Sequence, residues 1–152
     1  MATQERETCF GAGLRKKDYL GLVSFGAFIL IVGIVFIANP NLVSDFSSWI
    51  EQMTGEQHLI RPPEGLVSSA ILFFTLIGLS NFFEAGIKLW ITKIMRQVLA
   101  DILSGVALVL FAYLIHLYGS YALTWQMVIA IEAIAIGLLV VLYSIARYVF
   151  LK

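Results

Sequence analysis

Charge is what this chain has least of. Only 13% of its 152 residues are Asp, Glu, Lys or Arg, about half the share of a soluble domain at roughly 25%. Too little charge is present to build a water-facing surface, and a mean hydropathy of +0.90 agrees. Cysteine is nearly missing as well. Cys9, the single one, excludes an intrachain disulfide and any cysteine-based metal centre, and it is read as a plain thiol. The two histidines, His58 and His116, are far apart in sequence. No His-x-x-x-His or His-Glu-x-x-His occurs, no Gly-x-Ser-x-Gly, and no acid cluster of the kind a metal-dependent transferase needs. Phosphate-cradling loops and basic nucleic-acid patches are lacking too. The expectation is therefore a non-enzyme with no cofactor, no metal site and no nucleic-acid partner. His58 with Glu56 and Glu64 is read as part of a solvated loop.

What the chain does have is four long apolar runs. Crossing the roughly 30 Å hydrocarbon core takes about 20 such residues as a helix. The expected fold is all-α: an integral membrane four-helix bundle in one transmembrane domain over residues 1–152. Spans fall at about 20–38, 66–90, 98–118 and 125–149, with a polar tail over 1–19 and an outer loop over 39–65. A cleaved signal peptide is the rival reading of the first run. Leu20–Ala38 is longer than an h-region, and Asn39-Pro40-Asn41 is a poor cleavage site, so a retained span is expected. Within the outer loop Leu42, Phe46, Trp49, Ile50 and Met53 recur at one helical face, opposite Ser44, Asp45, Ser48, Glu51 and Gln52. That pattern predicts a short amphipathic interfacial helix anchored by Trp49. Its polar side carries acids rather than Lys or Arg, which fits an outer leaflet or packing on the bundle.

Orientation follows from Lys and Arg. With the N-terminus inside, Arg6, Arg15, Lys16, Lys17, Lys88, Lys93, Arg96, Arg147 and Lys152 all fall on the cytoplasmic side, and only Arg61 lies outside. Both termini are expected in the cytoplasm, in a cell membrane.

The halves read as a repeat. A shift of 79 residues pairs FGAFILIVGIVFI (25–37) with SGVALVLFAYLIH (104–116), matching Gly26 to Gly105 and Gly33 to Ala112. A shift of 59 pairs GLSNFFEAGIKLW (78–90) with GLLVVLYSIARYV (137–149), matching Gly78 to Gly137 and Lys88 to Arg147. Both hairpins start on the same side, so these would be parallel repeats about an axis along the membrane normal. Small residues recur at heptad spacing: Gly26 with Gly33, Gly78 with Ala85, Gly105 with Ala112, Gly137 with Ser144. Such stripes mark helix-packing faces in membranes, within the bundle first and between copies second. The repeated hairpin and the stretch GIVFIANP resemble the HdeD-type small membrane proteins linked to acid resistance. That family is usually longer, with six spans, and Tyr118-Gly119 stands where the Asn-Pro would recur in the second half.

Ionisable residues within spans are the candidates for chemistry, because even a modest scale charges about 2.5–3.5 kcal/mol for one at mid-membrane. Glu84 lies 18 positions past Leu66, roughly 27 Å along the helix and so near its cytoplasmic edge. Lys88 is its i+4 partner in the favourable order, and Asn81 shares their face. Glu132 lies 7 positions past Trp125, roughly 10 Å in, with no base in its span until Arg147. A neutral carboxyl hydrogen-bonded to a neighbouring helix is expected there, with Thr75, Tyr113 and His116 at similar depth. The leading expectation for function is a non-catalytic packing partner or accessory subunit, surrounded by lipid and by other membrane chains or its own copies. The alternative is an oligomeric proton- or cation-coupled transporter or channel using Glu132 with His116.

Overall fold

A computed structural model describes residues 18–55, 61–91 and 95–150. Cys9 and the basic tail, Glu56 with His58, Lys93 and Lys152 lie outside them. Five helices follow one another: α1 (Asp18–Ala38), α2 (Leu42–Gly55), α3 (Glu64–Ile91), α4 (Met95–Gly119) and α5 (Trp125–Phe150). All but α2 are long and apolar enough to cross a membrane. The protein is an all-α, multi-pass membrane bundle.

Local sequence sets each boundary. Asn39 N–H still donates to Val35 O at 3.0 Å, but Pro40 has no N–H to continue α1. Leu42 and Asp45 then donate to the Asn39 and Asn41 carbonyls and open α2. At the start of α3 the Pro63 carbonyl accepts from Leu66 and Val67, the place where proline's fixed φ is an asset. Glu64 in the first turn and Lys88 in the last both suit the helix dipole. The α4 terminus is a Schellman motif: Ala122 N–H donates to Leu117 O at 3.0 Å and Tyr121 N–H to Tyr118 O at 3.2 Å. Its left-handed position is Tyr121, with φ 64°, one of the few conformations glycine usually fills. The Tyr121 ring, held against Arg61, accounts for a non-glycine residue at this position.

The spanning helices pack in a row, α1 against α3, α3 against α4, α4 against α5, with α3–α4 by far the most intimate pair. An axis relating the two hairpins would also bring α5 against α1 as closely as α4 meets α3. That pair is not among the close contacts. Along α1, Ile31 and Val35 are the buried positions, and along α5 Val128 is wholly buried. The opposite faces of both helices are open, with Phe25, Leu30 and Ile37 on α1 and Ile134, Leu138 and Val141 on α5 all more than half exposed.

One polar clasp joins α1 to α3. Asn39 Nδ2 donates to Gly65 O at 2.8 Å and to Ser69 Oγ at 3.0 Å, and Ser69 is buried. Asp45, placed by its periodicity on the water side of α2, instead turns inward. A Cβ at Gly65 would stand 2.7 Å from Asp45 Oδ2 and 3.0 Å from Asn39 Nδ2. The short Pro40-Asn41 link fixes how α2 can roll, so Leu42, Asp45, Trp49 and Met53 are its half-buried side, while Phe46 and Ile50 are exposed. Removing the clasp in Asn39→Ala is expected to cost about 1–2 kcal/mol, since Ser69 Oγ and Gly65 O lose a shared donor. Thermal unfolding in detergent measures it, and an unchanged midpoint would show that the clasp contributes nothing.

Candidate functional site

The seam between α3 and α4 brings together an ion-pair cluster and an amide–hydroxyl bond. Near the α3 C-terminus, Lys88 Nζ lies 2.7 Å from Asp101 Oδ2 and 3.5 Å from Glu84 Oε2, with all three side chains largely covered. Two turns further in, Asn81 Nδ2 donates to Ser104 Oγ at 3.0 Å. Next comes the closest approach of the two backbones, at Gly78 and Gly105. A Cβ on Gly105 would stand 2.9 Å from Gly78 O, and one on Gly78 3.0 Å from Gly105 O and 2.7 Å from a Val109 methyl. Beyond the crossing, Phe74 and Phe111 meet edge to face at 4.8 Å between centroids. The small partners Ala85 and Ala112 of these glycines are both buried.

At the loop end, Arg61 closes the same seam. Its Nη1 donates to Tyr118 O at 3.3 Å, and its guanidinium lies 4.9 Å from the Tyr118 ring centroid and 4.0 Å from that of Tyr121. Cation–π contacts of this kind are worth about 0.5–2 kcal/mol according to how dry they are. They also give a reason for the left-handed Tyr121, which delivers its ring to the guanidinium. Arg61, Glu64, Ser68, His116 and Tyr121 line one open cavity there.

The structure separates the candidates read from sequence. Asn81, Glu84 and Lys88 are together on the seam, where Asp101 and Ser104 join them. Sequence reading paired Lys88 with Glu84 alone and gave Asp101 no role. Its signal was available: Lys88 lies about one turn before the end of α3 and Asp101 about two turns after the start of α4, so an antiparallel hairpin brings Asp101 within reach of the long Lys88 side chain. Glu132 sits elsewhere, on α5, one turn along the face that carries Val128. Its Oε2 is buried with no hydrogen-bond partner among the described residues. No hydrogen bond links it to Thr75, Tyr113 or His116 among the described residues. His116 is exposed at the loop-end cavity, so the expected His–Glu pair is not formed.

Trp49 is half-buried on α2 and touches Phe46, ring centroids 6.2 Å apart. The five glycines grouped by spacing as packing positions also divide. Gly78 and Gly105 make the crossing, whereas a Cβ on Gly26, Gly33 or Gly137 would meet nothing within 4 Å. Among the described residues, no three His, Cys, Asp or Glu come together as a metal site would need.

The charged and amide groups of the seam pair with one another. Each acid or amide in it is matched to a partner on the facing helix or one turn away. No family model, curated protein or solved structure matches the chain.

Proposed function

We propose that the protein is a non-catalytic integral membrane component that works by packing against other membrane-embedded chains. The observation that carries this reading is the unequal use of its helices. The α3–α4 pair holds the covered ion pair, the Asn81–Ser104 bond and the close glycine crossing, while α1 and α5 each engage one face and leave the other open. Lipid covers such faces in an isolated chain, but small residues on them allow close helix approach that lipid contact does not need. The Lys and Arg distribution supports an orientation with both termini in the cytoplasm of a cell membrane; in that orientation α2 and the Arg61 cavity face the outer side.

Gentle extraction into lipid nanodiscs, followed by native mass measurement and identification of every bound chain, tests the reading. An assembly larger than one chain is expected. A bare monomer with no bound chain at native membrane density would overturn it.

One observation favours a second reading, a proton- or cation-coupled pathway: the buried Glu132 oxygen without a hydrogen-bond partner among the described residues. Under that reading Glu132→Gln abolishes proton or cation flux into liposomes. Under the packing reading flux is absent before and after the change. A wild-type flux that the variant leaves intact would remove Glu132 from the pathway.

A further inference from the structure

The repeat offers a way to ask what covers the open faces of α1 and α5. In the alignment that pairs the two hairpins, α4 corresponds to α1 and α5 to α3. The small residues at the centre of the α3–α4 seam are Gly78 and Ala85 on one helix and Gly105 and Ala112 on the other. Their counterparts are Gly137 and Ser144 on α5 and Gly26 and Gly33 on α1. The first four are buried. Of their counterparts, Gly26, Gly137 and Ser144 are exposed and Gly33 is half-exposed.

Helical phase shows that this difference is not accidental placement. Gly137 stands nine residues from Val128, the wholly buried position of α5, and Gly26 nine from Val35, a buried position of α1. Nine residues are two and a half turns at 3.6 per turn, so each glycine points directly away from its own neighbour. Depth matches too. Gly78 and Gly137 stand the same number of residues before the ends of α3 and α5, and Gly105 and Gly26 lie roughly two to three turns into α4 and α1. Direction matches as well: α5 and α1 run oppositely across the membrane, as α3 and α4 do.

We propose that copies of this protein associate side by side in the same orientation, α5 of one against α1 of the next. The contact is a Gly137–Gly26 crossing that repeats the Gly78–Gly105 crossing inside each chain. A small-residue stripe alone would mark nothing. Here the chain already holds the complementary pair, packed, and lacks only the second copy to repeat it. The interface is heterologous, using a different surface from each copy, so it closes into a ring or runs on as a row. It differs from its template around the glycines, where Val140 and Phe25 stand in place of Asn81 and Ser104, and Ala133 and Val32 in place of Phe74 and Phe111. Leu22 occupies the place of Asp101, so the ion pair has no counterpart and the contact is apolar. The inference rests on the packing reading and names its partner.

Full-length protein carrying donor or acceptor fluorophores at its C-terminus, reconstituted in liposomes, supplies the test. Wild type is expected to show energy transfer that falls on dilution with lipid. Gly26→Leu and Gly137→Leu each fill open space within the monomer, so each is expected to keep the wild-type unfolding midpoint in detergent. Each alone loses at least about ten-fold in apparent association, equivalent to 1.4 kcal/mol. Mixing the two variants restores transfer, because one supplies an intact α5 face and the other an intact α1 face.

Failure of the mixture to recover, or transfer in either variant equal to wild type, would overturn the proposal. Should wild type show no transfer yet be captured with a different chain, this inference fails while the packing reading stands. A monomer with no partner at all removes both.

Discussion

Gly105→Leu is expected to unfold the α3–α4 pair, while Gly137→Leu leaves the monomer as stable as wild type. Both substitutions put the same side chain at matching depth in a membrane helix. The difference is what each new side chain meets. At Gly105 the first added carbon already stands 2.9 Å from the Gly78 carbonyl and 3.1 Å from the Phe82 ring. The carbonyl belongs to the backbone of α3 and cannot rotate away, so the helices must separate. Separation then loosens the Asn81–Ser104 bond and the Phe74–Phe111 contact on either side. Overpacking costs typically 1–3 kcal/mol, and with a rigid obstacle the loss is expected at or above about 3 kcal/mol. Gly105→Ala should show part of the same effect, because the obstacle is met by Cβ itself. Unfolding by titration with a denaturing detergent, followed by circular dichroism, measures all three variants. Equal midpoints for Gly105→Leu and Gly137→Leu would mean that the crossing contributes nothing to stability.

That contrast also shows how far sequence reading could go. Four long apolar helices and a short amphipathic one were legible because length, hydropathy and helical periodicity are properties of one segment at a time. Boundaries moved by at most a few residues, α3 reaching Glu64 where the expected span began at Leu66. Heptad spacing found the right residue types for packing but could not say which were in use. Gly78 and Gly137 look alike along the chain, and only the order of helices in the row separates them. The same limit hid the Asn39 clasp. Asn39 reads as a helix terminator beside Pro40, and its second task depends on Gly65 and Ser69 arriving from another helix. Asp45 was assigned to the wrong side of α2 because periodicity gives a face without giving its direction. For Glu132, depth along one helix could name Thr75, Tyr113 and His116 as neighbours, but no hydrogen bond joins it to any of them among the described residues.

Lys88→Met should produce the second large effect, since it removes one cation from between two acids. In the native seam Nζ bridges Asp101 at 2.7 Å and Glu84 at 3.5 Å, with roughly a fifth or less of each side chain accessible. Breaking a covered pair costs more than the pair itself contributes, because the carboxylates left behind have lost water and gained nothing. Hydrogen bonds to charged groups are worth about 1.5–3 kcal/mol, and a loss in that range is expected. Asp101→Leu on the Lys88→Met background removes one stranded acid and should recover a good part of the stability. Glu84→Gln alone should matter less, because at 3.5 Å it is the longer arm and adjoins Lys88 on the same helix. The discriminating measurement is the double-mutant cycle over Lys88 and Asp101 in the detergent titration. A coupling energy below about 0.5 kcal/mol would place the pair among exposed ion pairs that contribute little. A value several times larger makes it, with the glycine crossing, the second point at which α3 and α4 are locked in register.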